Sequence, residues 1–180
     1  MLIRALDVVI SLFGLIISFP LLCFILLILY FSQGSAFFTQ ERIGLNGKSF
    51  VIIKFRTMAE GTISIATHLS NHSDVTPIGH VLRRLKFDEL PQLLNVLIGD
   101  MSLVGPRPGL ASQRELTIER SKRGVYLVKP GITGLAQVSG IDMSTPKLLA
   151  KTDARMIKEM SVLSYFKYIF VTVFRPQGSS

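Results

Sequence analysis

The hydrophobic pattern is dominated by one unbroken apolar run, VVISLFGLIISFPLLCFILLILYF from Val8 to Phe31, and no charged residue appears between Asp7 and Glu41. As a single helix this run would be about 36 Å long, enough for a hydrocarbon core of about 30 Å. It exceeds the roughly 7–15-residue core of a secretory signal, and no A-x-A-like cleavage site follows it, so a membrane-embedded anchor is expected. Pro20 lies in its middle, removes one helical hydrogen bond and presses on the carbonyl of Ile16, for which the nearby Ser18 hydroxyl is a candidate partner. The halves Val8–Phe19 and Leu21–Phe31 would each reach about 16–18 Å, too short to cross. A kinked span and a helix that turns back to its own face both fit. In the second, Arg4 and the basic remainder of the chain share one side.

Beyond the run the pattern shortens. Ala36–Ile43 and Lys48–Phe55 read as strands around Leu45-Asn46-Gly47, with Asn-Gly as the hairpin signal. Residues 60–77 are rich in Ser, Thr, Asn and Gly and read as a loop. Helices are expected over Ile78–Leu85, Phe87–Ile98 (stopped by Gly99) and Gln113–Arg123, with a loop at Gly105–Pro108 and a Gly-rich turn or short strand over Lys129–Gly140. Thr145–Phe174 reads as one helix whose second half is nearly all apolar around Lys167. An interfacial helix with a snorkelling lysine and a helix docked on the core both fit. No internal repeat is present. The fold class expected is α+β, mainly helical. Residues 1–33 form the membrane element, and 34–180 form a compact domain with a small β-hairpin and amphipathic interfacial helices.

Composition sharpens this reading. Of 180 residues 48% are hydrophobic and only 18% charged, too apolar for a disordered chain. Lys and Arg outnumber Asp and Glu by 20 to 12, a net charge of +8, which points to an anionic partner: nucleic acid, a lipid surface or a phosphorylated substrate. A lone cysteine, Cys23, excludes an intramolecular disulfide framework. No aromatic-interleaved basic reader motif appears, and the apolar run also argues against nucleic acid.

Candidate chemistry gathers at Asp88-Glu89-Leu90-Pro91. Asp88 is a good N-cap and Pro91 suits a first turn, so a merely capped helix accounts for the spacing. The surroundings add more. Arg83, Arg84 and Lys86 precede the carboxylates, and Arg107 follows in the rigid loop Gly105-Pro106-Arg107-Pro108. Carboxylates among fixed cations can take a phosphate and a divalent metal, and an ionised aspartate there can attack phosphorus. Lys54 and Arg56 form a second cationic pair at a strand end. Other signals are weak. Gly47-Lys48-Ser49 lacks a P-loop's first glycine, because Arg42 stands there. His68 and His72 lack a third metal ligand, and Gly131, Gly134 and Gly140 form no dinucleotide fingerprint.

DELPQLLNVLIGDMSLVGPRP (Asp88–Pro108) and VKPGITGLAQVSG (Val128–Gly140) resemble the bacterial sugar transferase family, the monotopic polyprenyl-phosphate phosphoglycosyl transferases. KFRTM (Lys54–Met58) and RALDVVISLFGLIISFPLL at the N-terminus are similar as well. The resemblance covers nearly the whole chain and matches the family's minimal members. It implies transfer of a sugar-1-phosphate from a UDP-sugar to undecaprenyl phosphate with release of UMP and with Mg2+ required. The Asp-Glu pair would be Asp88 and Glu89, both near the metal, with Asp88 forming a covalent phosphosugar intermediate and Glu89 assisting as metal neighbour or base. Lys54, Arg56, Arg83, Arg107 and Asp153 would be the other matching polar positions, in contact with substrate. The membrane element would be a re-entrant helix broken at a Ser-Pro pair, here Ser18-Phe19-Pro20. The resemblance further implies the cytoplasmic face of a bacterial inner membrane, contact with membrane lipid, room for a homodimer, and a first membrane step in O-antigen, capsule, exopolysaccharide or glycoprotein glycan assembly. The sugar is not readable. The rival readings are a non-enzymatic anchored protein that binds anionic lipids, and a membrane phosphohydrolase.

Overall fold

The fold is α+β and mainly helical; the computed structural model describes residues 2–59 and 74–174. Helix α1 (Leu2–Gln33) is followed by an antiparallel hairpin of β1 (Phe37–Ile43) and β2 (Ser49–Phe55), paired from Phe37↔Phe55 to Ile43↔Ser49. Asn46 and Gly47 take the left-handed conformation that closes it, with φ of 56° and 72°. Then come α2 (Pro77–Arg84), α3 (Gln92–Ile98), β3 (Ser102–Val104), α4 (Arg114–Lys122), β4 (Gly131–Thr133), α5 (Leu135–Val138), α6 (Pro146–Lys158) and α7 (Val162–Phe174). Most of the 60–77 loop, with His68 and His72, lies outside the described residues. Its described end, Thr76, caps α2 by accepting from the Gly79 N–H at 3.1 Å.

Three expectations are corrected. Phe87–Ile98 is not one helix capped by Asp88. Lys86 sits in a left-handed conformation (φ 58°), Phe87–Glu89 forms a 3-10 turn, and α3 starts at Gln92 with Pro91 at its N-cap. Pro91 has no N–H to continue a ladder from Phe87, so the chain makes a tight turn first. Thr145–Phe174 divides into α6 and α7. Ser161 and Ser164 exchange backbone-to-hydroxyl hydrogen bonds of 2.8 and 3.1 Å and so cap α7. Finally, the Ile16 carbonyl that Pro20 leaves free is not taken up by Ser18. Helix α1 runs on through Pro20, and the Ser18 hydroxyl donates to the Gly14 carbonyl at 2.6 Å instead.

The parallel pair of β3 and β4, with Ser102↔Gly131 and Val104↔Thr133 in register, was not anticipated. It holds the Gly105–Pro108 loop against the Gly-rich segment, where the backbones approach so closely that a Cβ on Gly131 would lie 2.0 Å from the Gly105 nitrogen. The main core joins Ile52, Val96, Met101, Leu103, Val104, Met156, Tyr165 and Tyr168.

Helix α1 docks at both of its ends. Near its start, Ile3, Leu6 and Ile10 pack on the main core, and Arg4 donates to the carbonyls of Val96 and Leu97 at 2.6 and 3.0 Å. The buried Asp7 accepts from the Ser102 hydroxyl, the Leu103 N–H and the Tyr165 hydroxyl at 3.0, 2.9 and 2.8 Å. Near its end, Ile25 and Leu29 pack with Ala36, Phe55 and Leu82. Its middle turns Phe13, Ile16, Ile17 (77% exposed) and Phe19 outward. Helix α7 buries Tyr165 and Tyr168 in the core, as the docked reading expects, and exposes Leu163, Phe170, Val173 and Phe174 on its other face.

Candidate active site

The site is assembled by a few polar side chains that tie short elements together. Asn95, buried on α3, stands in for a neighbouring strand: its Oδ1 accepts from the Ile53 N–H at 3.0 Å and its Nδ2 donates to the Val51 carbonyl at 2.7 Å. This clamps α3 to β2 and brings the Phe87–Glu89 turn opposite Lys54. The turn is held from its other side by Lys86, whose Nζ donates to the Thr172 carbonyl of α7 at 3.0 Å. The Gly105–Pro108 loop is fixed by Arg120, which donates to the Arg107 carbonyl at 2.8 Å.

Glu89 is the hub. Its Oε1 accepts from Lys54 Nζ and from an Arg107 nitrogen, each at 2.9 Å. Burial alone would raise its carboxyl, but the two cations and their hydrogen bonds outweigh that and hold it well below the usual carboxylate range. Asp88 behaves in the opposite way. Burial first, then repulsion by Glu89, push its carboxyl up to about 6 against Lys54, Arg107 and Arg83. Burial pulls the Lys54 ammonium below its ordinary value, partly offset by Glu89. Glu89 keeps Arg107 firmly charged. Arg107 is 36% exposed along its side chain, so it reaches the surface of the site.

The sequence-derived candidates divide. Asp88, Glu89, Lys54 and Arg107 meet directly, and Arg83 belongs with them: its Nε donates to Thr57 Oγ1 at 2.9 Å and its charge acts on Asp88. Arg56 follows β2 with its backbone N–H on the Ala36 carbonyl. Asp153 does not join the carboxylates. It is fully buried, and its Oδ2 accepts from Arg120 Nε and a terminal nitrogen at 3.0 and 2.7 Å. It reaches the site only through Arg120 and the Arg107 carbonyl. Sequence reasoning missed Arg120 and Asn95. Asn95 carried a signal, as a polar residue inside the apolar PQLLNVLIG.

Among the described residues no cluster of three or more His, Cys, Asp or Glu exists, so no all-protein metal cage is formed there. Asp88 makes no hydrogen bond to a described residue, so its oxygens are open to a cation. Magnesium commonly takes one or two carboxylates plus substrate phosphates, and Asp88 beside Glu89 fits that mode. A cavity of about 420 Å3 opens beside the cluster, with Lys54 and Arg107 in its wall.

Comparison with known proteins matches the model of the bacterial sugar transferase family over residues 1–177. The chain is 39% identical to the UDP-glucose:undecaprenyl-phosphate glucose-1-phosphate transferase of Escherichia coli over 96% of its own length, but spans only 39% of that protein. It is 38% identical to the sugar transferase EpsL of Bacillus subtilis, covering 94% of this chain and 84% of EpsL. It is 36% identical to the exopolysaccharide production protein ExoY of Rhizobium meliloti, covering 94% of this chain and 83% of ExoY.

Proposed function

The chain belongs to the bacterial sugar transferase family, and we propose that it transfers a sugar-1-phosphate from a UDP-sugar to undecaprenyl phosphate, releasing UMP. The observation that carries this reading is the pair Asp88 and Glu89, adjacent and oppositely perturbed, with Lys54 and Arg107 beside a cavity of about 420 Å3. Two neighbouring carboxyls driven apart take different tasks. Asp88, free of hydrogen bonds to described residues, is the nucleophile. An Asp88 oxygen bonds to the sugar-proximal phosphorus, the bond from that phosphorus to the bridging oxygen breaks, and UMP leaves with the electron pair. An oxygen of the lipid phosphate then attacks the same phosphorus, which restores the aspartate and yields the sugar diphospholipid.

Glu89, bound by two cations, is a poor base and serves to aim Lys54 and Arg107. Those cations meet the charge that builds on the departing phosphate. Arg83 lowers the cost of ionising Asp88. Asp88, with Glu89 beside it, would hold Mg2+, which would offset diphosphate charge when bound. Asp153 acts as a positioning residue behind Arg107.

We place the site at the cytoplasmic face of the bacterial inner membrane. A helix of 32 residues is about 48 Å long, more than the bilayer core of about 30 Å. Both its ends dock on one folded domain, while its middle exposes apolar side chains. A straight crossing would put those ends on opposite sides. The docking therefore supports a helix that enters and leaves by one face, with Ser18 and Pro20 near its deepest point. The exposed apolar face of α7 would lie in the same interface. With ExoY among its relatives, the chain would act in exopolysaccharide or related glycan assembly.

The test is UMP release from membranes supplied with a panel of UDP-sugars. The reading requires release that depends on Asp88 and undecaprenyl phosphate, and intact-protein mass spectrometry should find a sugar-phosphate adduct with UDP-sugar alone. Free sugar phosphate would indicate a phosphohydrolase, and no UMP from any donor a lipid-binding protein.

A further inference from the structure

The cavity beside Glu89 has polar chemistry that the carboxylate pair does not use. Beyond Lys54 and Arg107, its lining includes Arg42 on β1, Gln92 at the start of α3 and Gln137 on α5. Each of these three carries a buried polar atom without a hydrogen-bond partner: Arg42 Nε, Gln92 Nε2 and Gln137 Oε1. Gln137 is oriented by its own amide, which donates to the Gly105 carbonyl at 3.4 Å and leaves Oε1 as an acceptor. A buried donor or acceptor without a partner is costly, so three on one cavity from three separate elements indicate a polar occupant.

The charges indicate its sign. Arg107 is matched by Glu89, but Arg42 meets no carboxylate among the described residues. Its terminal nitrogens donate only to the Pro108 carbonyl at 3.5 Å and to the Gln40 side chain. Burial and the charge of Arg107 pull the Arg42 guanidinium down to about 10, the mark of a cation lacking an anion.

We propose that this cavity receives the nucleoside 5′-phosphate half of the sugar nucleotide, with Arg42 on its phosphate and the Gln92 and Gln137 amides on the polar edges of its ribose and base. The proposal rests on the transferase reading and deepens it. A free phosphate would satisfy Arg42 and leave the amides unpaired. A nucleotide supplies an anion, hydroxyl donors, and ring donors and acceptors along one extended body. Arg107 is shared between this cavity and Glu89, so the transferred phosphoryl group would lie toward Asp88 and the departing nucleotide toward Arg42. Arg42 would then hold the charge that the nucleotide gains on leaving.

The experiment titrates UMP, and separately inorganic phosphate, into the full chain in lipid nanodiscs by calorimetry. The native protein should bind UMP at least tenfold more tightly than phosphate. Arg42→Gln should weaken UMP about tenfold or more and raise the KM for the UDP-sugar. Gln137→Leu, a partly exposed position that carries the test if the first variant fails to fold, should weaken UMP severalfold and leave phosphate unchanged. Folded variants that bind UMP within twofold of native, or native binding of UMP no tighter than phosphate, would overturn the proposal. The adduct measurement separates this from the parent reading. An Asp88 adduct with unaltered UMP binding in both variants refutes the pocket alone. UMP binding that depends on Arg42 and Gln137, with no adduct and no UMP release, supports the pocket and refutes the transferase.

Discussion

Asp88 and Glu89 are adjacent in sequence, yet one carboxyl is pushed up to about 6 and the other is held well below the usual carboxylate range. The 3-10 turn that contains them is the reason. With three residues per turn, successive side chains leave the axis about 120° apart, so neighbours meet different surroundings. Glu89 is directed at Lys54 and Arg107, and Asp88 is left half-buried without a hydrogen bond to a described residue. An α-helical start at Asp88 would have spent that carboxylate on backbone N–H groups as a cap.

Ionised Asp88 is the attacking form, so the first half-reaction should follow its titration. With UDP-sugar alone the donor's diphosphate is already ionised, and the burst rate of UMP release should rise with pH to a half-maximum near 6. Lys54 lowers the Asp88 value, so Lys54→Met should move the half-maximum upward. A burst rate flat from pH 5 to 8 would refute Asp88 as the titrating nucleophile.

The same residue should cost stability. Its folded value, about 6, lies above the ordinary 3.8, so the fold favours the protonated form. As pH rises from about 4 to 6 the native protein should lose stability, and above 6 the full cost is present. Asp88→Asn carries no charge. It should melt higher than native at pH 8, the difference should vanish below pH 4, and turnover should fall by orders of magnitude. An equal melting difference at both pH values would show that the substitution acts through packing.

Arg107→Lys tests the guanidinium. Lysine keeps the charge but not the planar fork that can hold Glu89 and a phosphate together. A charge-assisted hydrogen bond is worth about 1.5–3 kcal/mol, so kcat/KM should fall about tenfold or more. A loss under about twofold would take Arg107 out of the site.

What the sequence disclosed follows from locality. The hairpin was legible because Asn46-Gly47 closes it within the turn itself, and the end of α3 because Gly99 takes φ 104°. The meeting of Asp88, Glu89, Lys54 and Arg107 came from a motif resemblance, since their contacts span up to 35 residues. The β3–β4 pair was hidden because three-residue strands show no periodicity and their partners lie far apart. Arg120 sits in a polar helix and resembles any surface cation until Asp153 buries it from α6. Asp7 looked like a boundary of the apolar run, and its role as the pin between α1, β3 and α7 depends on Tyr165, 158 residues later. Arg42 figured only as the residue that spoils a P-loop pattern, because its place in the cavity wall depends on partners as distant as Gln92 and Gln137.

The buried pair Arg120–Asp153 should combine structural and positioning roles. Asp153→Asn leaves the Arg120 charge uncompensated, a loss of about 3–5 kcal/mol, or roughly 6–20 °C in Tm at this size. The double variant Arg120→Met, Asp153→Leu removes both charges and should recover much of that stability. It should not recover kcat, because the Arg107 carbonyl has lost the donor that fixes its loop. Full recovery of kcat would show that Arg120 does not position Arg107.

The two ends of α1 give the membrane topology a direct test. Leu2 is exposed at the start of the helix and Ser32 at its end, and the docking contacts near each belong to the same domain. With Cys23 replaced by serine, single cysteines at positions 2 and 32 should behave alike. Both should resist a membrane-impermeant thiol reagent in spheroplasts and both should react in inverted vesicles. A crossing helix would make them opposite, because about 45 Å of helix separates them, more than the bilayer core of about 30 Å. Opposite labelling would therefore reject the one-face arrangement. It would also require the contacts of Arg4 and Asp7, or those of Ile25 and Leu29, to be released in the membrane, because one folded domain cannot hold both ends from opposite sides.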